Sequence, residues 1–292
     1  MARTDLDAPH PIDLHLDIRA LMQDTMAMAD RADALALAGF FSHFEVTTKE
    51  DGTDVTSVDR QIELELRDMI GRGGTAAGVL GEEYGETIAG PEGVGRWVLD
   101  PIDGTAAFID ADPRFATLIA FESEGRPLVG VVSAPALGLR WWAGIGHGAF
   151  LSRDGAVSAA RVSITDDPSA ARGLVPDSWM NGPGAGEWPR SPDTLAADAM
   201  AAIRWSGFDA SWQAVRVAGG DYDVSVTAGA WWDVAPLPVI VTEAGGVVRT
   251  DRRPDGSVAM VLSNSRIAPH LHGIDVRSGR GDRFEDDDRR LS

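Results

Sequence analysis

The segment Asp100-Pro101-Ile102-Asp103-Gly104-Thr105 restricts the fold of this chain more than any other feature of its sequence. A short apolar run precedes it, which predicts a buried strand that ends at Asp100. Two aspartates three positions apart cannot face the same side of a regular strand, because side chains alternate between its faces. Pro101 and Gly104 favour a turn that brings both carboxylates and an intervening carbonyl together. Oxygen ligands grouped in this way suit Mg²⁺.

Other acidic residues stand where predicted elements begin or end. Glu82 and Glu83 follow a short apolar strand. Asp59 lies near the start of a predicted helix, and Asp233 precedes another, which it would cap. Each fragment alone is more often a solvated turn, a surface pair or a cap, but α/β folds build their sites at such ends. Two carboxylates about 4 Å apart oppose each other by roughly 4 kcal/mol at an effective dielectric of about 20, so their convergence requires a bound cation.

The charge of the chain restricts its partners. Its 292 residues contain 26 Lys and Arg against 45 Asp and Glu, for a net charge of −19. That charge repels nucleic-acid phosphates and anionic lipid over a screening distance of about 8 Å at physiological salt, so we expect no nucleic-acid and no membrane partner. An anionic phosphate ester would be repelled as well, unless bound cations neutralise the carboxylates locally.

The sequence contains no cysteine, which excludes disulfides, thiolate nucleophiles and sulfur-ligated zinc and suits a reducing cytoplasm. The amino terminus lacks a basic segment followed by an apolar run, and the apolar patch at 35–44 is too short to span a bilayer. We therefore expect a cytoplasmic protein. His270 and His272 form the only close histidine pair and receive no role.

Hydrophobic periodicity predicts the elements of the first half. Helical spacing favours a long helix over about residues 12–41 and a second over 58–70. A short strand follows over 78–81. Alternating apolar segments then favour an antiparallel sheet around residues 97–152, on which the helices would pack.

Between residues 163 and 192 the composition shifts to Pro, Gly, Asp and Ser, which indicates a boundary and a mobile loop. Beyond it, helices are predicted over 195–203 and 234–243, and short strands over 246–249 and 260–262. This second half is an α/β arrangement too small to stand alone.

The chain is thus predicted to have a mixed α/β (α+β) fold in three parts. Residues 11–160 form an α+β half with most of the acidic candidates, and residues 161–276 form a smaller α/β half that completes the site. Residues 277–292 are rich in charge and poor in apolar side chains, so we expect a disordered tail.

Four motifs, in order, resemble the Mg²⁺-dependent inositol monophosphatase family over roughly residues 12–275. They are Asp54-Val55-Thr56-x-x-Asp59, Gly81-Glu82-Glu83, the 100–105 segment, and Trp232-Asp233 leading to Glu243-Ala244-Gly245-Gly246. Finer similarity, in 46–49, 116–120 and 130–143, resembles the histidinol-phosphate phosphatase branch found in bacteria. The resemblance implies a layered αβαβα sandwich of the sugar-phosphatase type and a homodimer.

The resemblance also implies roles for the site residues. Two or three Mg²⁺ ions would be held by Glu82, Asp100, the Ile102 carbonyl, Asp103 and Asp233, with Glu83 near the loosest ion. Thr105, hydrogen-bonded to Asp59, would orient the attacking water, and the amides of Gly104 and Thr105 would bind phosphate. The implied activity is hydrolysis of a small-molecule phosphate ester by metal-activated water, without a phosphoenzyme.

Some positions depart from the family pattern. The family often has an acidic substrate contact seven positions before the metal-binding aspartate, where this chain has Val226. Replacement candidates for contacting a cationic amine are Asp209, Asp221 and Asp223. Pro238 falls inside a predicted helix, where it should cost a backbone hydrogen bond or bend the helix.

Histidinol phosphate is the favoured substrate, as part of histidine biosynthesis. One alternative is inositol 1-phosphate or another sugar or nucleotide phosphate, although Val226 weakens the inositol case. The other is a pseudoenzyme, a metal-stabilised regulatory protein that keeps the fold without useful turnover. The complete ligand set argues against that alternative.

Overall fold

Helices and strands follow one another along most of the chain in the computed structural model, which describes residues 16–73, 77–90, 94–181, 194–253 and 256–271. Several predicted features fall outside these ranges. They are residues 12–15 of the first helix, the stretch 182–192 of the predicted loop, His272 and the tail over 277–292.

The described residues form helices where the periodicity predicts them, with one exception. Their α-helices are α1 (Ile18–Phe40), α2 (Ser57–Arg72), α3 (Thr105–Ile109), α4 (Asp177–Asn181), α5 (Thr194–Ala202), α6 (Trp231–Val234) and α7 (Leu237–Glu243). Short 3-10 helices cover Pro135–Leu137, Ser211–Val217 and Ala268–Leu271. The exception is the helix predicted over 234–243, which breaks at Pro236.

The strands divide into one hairpin and two sheets. They are β1 (Val46–Thr48), β2 (Asp54–Thr56), β3 (Gly78–Gly81), β4 (Gly85–Thr87), β5 (Arg96–Asp103), β6 (Ala116–Ser123), β7 (Arg126–Ala134), β8 (Leu139–Gly144), β9 (Gly148–Arg153), β10 (Ala156–Ala159), β11 (Arg172–Pro176), β12 (Arg204–Phe208), β13 (Val224–Gly229), β14 (Gly246–Arg252) and β15 (Val258–Asn264).

The larger sheet has the order β10-β9-β8-β7-β6-β5-β3-β4 and is antiparallel except between β3 and β5. The smaller sheet has the order β12-β11-β13-β15-β14, with β11 parallel to both of its neighbours. The antiparallel sheet and the smaller α/β half predicted from the sequence are therefore confirmed.

Alternation along the central strands sorts their side chains into two cores. On β5, Trp97 and Leu99 face the core shared with α1 and α2, whereas Val98 faces the core shared with α7. The second core also contains Met260 of β15, so α6 and α7 lie between the two sheets. A third core joins the far face of the smaller sheet to α5. The layer order is αβαβα, as predicted.

Local chemistry fixes the helix that leads into the site. Thr56 caps α2 by accepting from the amides of Val58 and Asp59. The Asp59 carboxylate in turn accepts from the Thr56 amide at 2.9 Å, which completes a capping box. The predicted four-residue spacing is confirmed further along α2, because Ile62, Leu66 and Ile70 are all buried.

Three further expectations about elements are wrong. Strand β5 does not end at Asp100 but continues to Asp103. The predicted loop over 163–192 contains strand β11 and helix α4. Pro238 does not interrupt a helix, because it lies in the first turn of α7, where its missing amide has no intrahelical acceptor.

Among the described residues, no helix combines the length and the apolar character needed to cross a membrane.

Candidate active site

Acidic side chains from four places in the fold lie around the end of β5. We call this set the acidic pocket: Asp59 of α2, Glu82 and Glu83 between β3 and β4, Asp100 and Asp103 of β5, and Asp233 of α6. The charge of Glu82 acts on Asp100, Asp103 and Asp233, which places these carboxylates within electrostatic reach of one another. The structure therefore brings together residues separated by more than a hundred positions.

An irregularity in β5 puts its two aspartates on the same side. Asp100 pairs with Leu118 and Asp103 with Ala116, so β5 has one more residue than β6 over this stretch. Such a bulge reverses the alternation of side chains beyond it. The Thr117 hydroxyl donates to the Pro101 carbonyl at 2.7 Å and fixes the bulged backbone. The convergence predicted from Pro101 and Gly104 is thus achieved within the strand.

The two β5 carboxylates differ in their partners. Asp103 accepts from the backbone amides of Ser211, at 3.3 Å, and Trp212. Asp100 is 1% exposed, and its Oδ1 atom is buried without a hydrogen-bond partner. A buried carboxylate oxygen without a donor is costly. A cation at this position would remove that cost, so this atom fits a metal ligand.

Thr105 connects the end of β5 to Asp59. Its hydroxyl lies 3.1 Å from Asp59 Oδ1 and 3.0 Å from the Ile102 carbonyl oxygen. The same Asp59 carboxylate also accepts from the Thr56 hydroxyl. Gly104 precedes Thr105 with φ of +93°, a left-handed conformation that favours glycine. The predicted contact between Thr105 and Asp59 is present.

A buried residue that the sequence analysis missed holds the Glu82–Glu83 turn. Glu63 of α2 is fully buried and accepts from the amides of Glu83, at 2.7 Å, and Tyr84, at 3.2 Å. Arg67 pairs with it at 2.8 Å. A Cβ atom on Gly81 would overlap the Glu63 carboxylate, which explains the glycine before the two glutamates. A buried glutamate in a helix could have signalled this role, but nothing in the sequence specifies its partner.

Asp233 occupies the third position of α6, not the position before the helix that the sequence predicts. Its Oδ2 atom accepts from the amide of Ala230, the residue that begins the helix, at 2.8 Å. The neighbouring Trp231 donates its indole N–H to Glu122 at 2.7 Å. Glu122 also pairs with Arg96 at 2.6 Å. These contacts fasten the short helix that carries Asp233 to the large sheet.

The crowding of carboxylates shifts their titration. Burial, together with the charges of Glu82, Asp103 and Asp233, raises the pKa of Asp100 well above its ordinary value. Burial and the charge of Asp233 do the same to the pKa of Asp103. Burial and then Glu82 raise the pKa of Asp233 to about 7. Burial raises the pKa of Glu83 to about 7, against the hydrogen bond from Lys49.

In the described part of the chain, no three carboxylate or histidine side chains form a ready cage around a metal position. The Lys49 ammonium instead pairs with Glu82 at 2.9 Å and Glu83 at 2.8 Å. The donor set still fits a hard cation, because it consists of oxygen atoms whose charges oppose one another. The orphaned oxygen of Asp100 supports the same conclusion.

The three substrate candidates do not lie together. Asp209 pairs with Arg114 at 3.1 Å and is followed by Ala210, which packs against Gly104, so it lies at the rim of the acidic pocket. Asp221 instead pairs with Arg153 at 3.1 Å. Asp223 is buried and accepts from Ser163 and from the Arg172 amide.

The structure does not bring Asp221 and Asp223 to the acidic pocket. Asp221 and Asp223 precede β13, whereas Asp233 follows that strand, and the six residues of β13 span about 20 Å. Val226 is fully buried within β13 in the third core. An acidic side chain there would lose its solvation, so this position contributes nothing to the pocket.

Solved structures share this fold. The extragenic suppressor protein SuhB from Bartonella henselae superposes with a TM-score of 0.73 at 25% identity, over 86% of this chain and 96% of its own. An IMPase from Thermotoga maritima superposes with a TM-score of 0.70 at 24% identity, over 86% of this chain and 95% of its own.

Curated relatives extend the similarity to sequence. A histidinol-phosphatase of Mycobacterium tuberculosis is 39% identical over 76% of this chain and 84% of its own length. A histidinol-phosphatase of Streptomyces coelicolor is 35% identical over 84% of this chain and 93% of its own length. An inositol-1-monophosphatase of Caulobacter vibrioides is 29% identical over 84% of this chain and 97% of its own length. Fold, site and relatives together define a phosphoric monoester hydrolase.

The sequence profile of the inositol monophosphatase family matches residues 20–273 of this chain. The chain belongs to the inositol monophosphatase family, as its motifs indicate. Members of this family are generally dependent on Mg²⁺.

Proposed function

We propose that this protein hydrolyses histidinol phosphate to histidinol and phosphate with the help of Mg²⁺. The observation that carries the chemistry is the acidic pocket with the orphaned Asp100 oxygen. The substrate is supported by two relatives named histidinol-phosphatase, at 39% and 35% identity. We further infer a cytoplasmic homodimer, on the family resemblance and the absence of cysteine.

The residues of the acidic pocket have different proposed roles. We assign Glu82, Asp100, the Ile102 carbonyl, Asp103 and Asp233 to hold two Mg²⁺ ions, and Glu83 to a third. Mg²⁺ bound there would supply an acidified water and positive charge for the phosphate. Thr105, held by Asp59 at 3.1 Å, is positioned to orient that water. The amides of Gly104 and Thr105 would donate to phosphate oxygens.

Asp209 is the favoured contact for the leaving group. It remains the one candidate of the three that lies at the pocket rim, and its side chain is 41% exposed. Histidinol carries a cationic amine, which an exposed carboxylate attracts. Arg114 pairs with the same carboxylate and would exchange this contact when the substrate binds.

A substrate comparison tests the proposal. Turnover of histidinol phosphate should exceed that of myo-inositol 1-phosphate and of 3′-phosphoadenosine 5′-phosphate by at least about tenfold in kcat/KM, because only histidinol phosphate offers a cationic amine. Preference for either alternative substrate would replace the assignment within the same reaction class. Stabilisation by Mg²⁺ without phosphate release from any ester would favour the pseudoenzyme.

Replacing Asp100 by Asn tests the metal site itself. Loss of one ligand charge at the buried centre of the pocket should lower kcat by at least about 100-fold at ordinary Mg²⁺ concentrations. The fold should persist, because Asn fills the same volume and removes a repelling charge. Circular dichroism controls for folding, and full activity in a folded variant would contradict the assignment.

A further inference from the structure

Lys49 is carried on a hairpin that stands apart from both sheets. In the described residues, β1 and β2 pair with each other and belong to neither large sheet. The Lys49 amide donates to the Thr53 carbonyl at 2.7 Å, which closes the turn between them. All three residues of β1 are exposed, whereas Val55 of β2 is buried. The hairpin is thus anchored through β2, and its tip carries the lysine.

The Lys49 ammonium bridges the two glutamates at the edge of the pocket. Its Nζ atom donates to Oε1 of Glu82 at 2.9 Å and to Oε1 of Glu83 at 2.8 Å. The Glu83 side chain is only 2% exposed, and the lysine side chain only 20%. Among the described residues, Lys49 is the basic side chain that forms ion pairs with the pocket. It therefore neutralises part of a six-carboxylate cluster.

The choice of residue is unusual for this chain. Lysine and arginine together number 26, and Lys49 is the only lysine among them. An ammonium is a compact point charge on a flexible stem, whereas a guanidinium is a planar fork suited to paired oxygens. Two separate carboxylates near a metal position can therefore exchange the small, mobile ammonium of a lysine for another cation.

A divalent ion and this ammonium would both be drawn to the same two carboxylates. The ammonium contacts one oxygen of each glutamate, so an ion held through either carboxylate would place a second positive charge beside it. Two positive charges so close repel each other strongly in a partly buried site. This repulsion opposes the contact between the ammonium and the two carboxylates, so binding of the ion favours departure of the lysine.

We propose that Lys49 is a tethered counter-ion of Glu82 and Glu83 that a divalent cation must displace, so that Lys49 sets the Mg²⁺ concentration at which the pocket fills. The inference rests on the Mg²⁺ dependence proposed above. Without the metal, Lys49 holds the two glutamates in place; with it, the hairpin tip is released from the pocket.

The sole lysine makes the displacement measurable in the unmodified protein. An amine-acylating reagent and peptide mass spectrometry report the labelling rate of Lys49 during an Mg²⁺ titration, with a lysine-containing reference peptide in the same tube as the control for reagent chemistry. The rate at Lys49 should rise at least about fivefold over that titration, because a lysine released from the two carboxylates is more accessible to the reagent than one that is 20% exposed between them. Its midpoint should match the midpoint of Mg²⁺-dependent thermal stabilisation.

Two variants separate charge from shape. Lys49→Met removes the competing charge and should shift the midpoint of Mg²⁺-dependent stabilisation to at least about fivefold lower concentration, while lowering Tm in EDTA. Lys49→Arg keeps the charge and should move the midpoint less than Lys49→Met does. Both are read by thermal unfolding, without reliance on turnover.

The outcomes are distinguishable. A wild-type protein that Mg²⁺ stabilises but whose Lys49 labelling stays constant or falls overturns this inference alone. So does a Lys49→Met variant whose midpoint is unchanged or higher. A wild-type protein that Mg²⁺ does not stabilise overturns the proposed metal dependence and this inference with it.

Discussion

At the scale of single residues, Asp233 links the crowding of the pocket to pH. An unfolded aspartate titrates near a pKa of about 3.9, whereas burial and Glu82 raise the pKa of the folded group to about 7. Between those values the folded protein holds a proton that the unfolded chain lacks. Stability from this group is therefore fully present below about pH 4 and is lost as the pH rises through 7.

Replacing Asp233 by Asn should remove this dependence. In EDTA, the Tm of the wild type should fall between pH 5 and pH 8, and the variant should show a smaller fall, because its amide does not titrate. Thermal unfolding across that range measures both slopes. Equal slopes would show that Asp233 is not protonated in the folded, metal-free protein.

Asp209 and Asp221 offer a matched pair of residue changes. Asp209→Asn should raise the KM for histidinol phosphate by about tenfold, the expected cost of one charged contact. Asp221→Asn should leave KM unchanged, because its carboxylate pairs with Arg153 away from the pocket. With p-nitrophenyl phosphate, which lacks an amine, neither variant should alter KM. A rise in KM for both esters would indicate a structural role for Asp209.

Residue types with their spacing identified the pocket, but they could not identify its supports. Asp59 and Thr105 are predictable, because each stands in a recognisable motif. Glu63 is not, since its partners are backbone amides twenty positions away. Asp221 and Asp223 show the opposite case, because these acidic residues are close to Asp233 in sequence but lie beyond the other end of β13.

At the scale of elements, the contact between α2 and the β3–β4 turn predicts the effect of a change at Gly81. Gly81→Ala forces the Glu63 carboxylate away from the amides of Glu83 and Tyr84. It should lower the free energy of unfolding by about 3 kcal/mol and raise the Mg²⁺ midpoint, because the turn carries Glu82.

Gly71→Ala is the control for that change. Gly71 lies in α2 with open space around it, so alanine should raise stability by about 0.5 kcal/mol. Urea unfolding with and without Mg²⁺ compares the two variants. Equal stabilities would mean that Gly81 has no steric role.

Element prediction succeeded where local periodicity decides the structure. The helix α2 follows from its four-residue apolar spacing. Strand β11 was missed because it stands in a stretch rich in Pro, Gly and Asp, and its pairing with β12 and β13 is non-local. The end of β5 was misplaced for a related reason, since its bulge is imposed by pairing with β6.

At the scale of the whole molecule, the two halves share one core. Val98 and Trp141 of the large sheet pack in the same cluster as Trp212, Leu237 and Met260. Asp103 of the first half accepts from amides of the second. We therefore expect a single unfolding transition, with tryptophan fluorescence and far-UV circular dichroism giving coincident curves that Mg²⁺ shifts together. Two separated transitions would show that residues 161–276 fold independently.

The layer order was predictable from the motifs, but this shared core was not. The sequence marks a change of composition at 163–192, which predicts a boundary between two halves but does not show how the halves pack. Packing of α7 against both sheets joins them, and the apolar residues of α7 do not reveal that they are covered on two sides.

The bulge in β5 has a consequence for how such a chain can diverge. Because β5 is flanked by β3 and β6, an extra or missing residue between Asp100 and Asp103 cannot be absorbed by sliding the strand. It would turn one aspartate toward the opposite helical layer. Insertions and deletions among relatives should therefore gather in surface turns, while the number of residues between Arg96 and Thr105 stays constant.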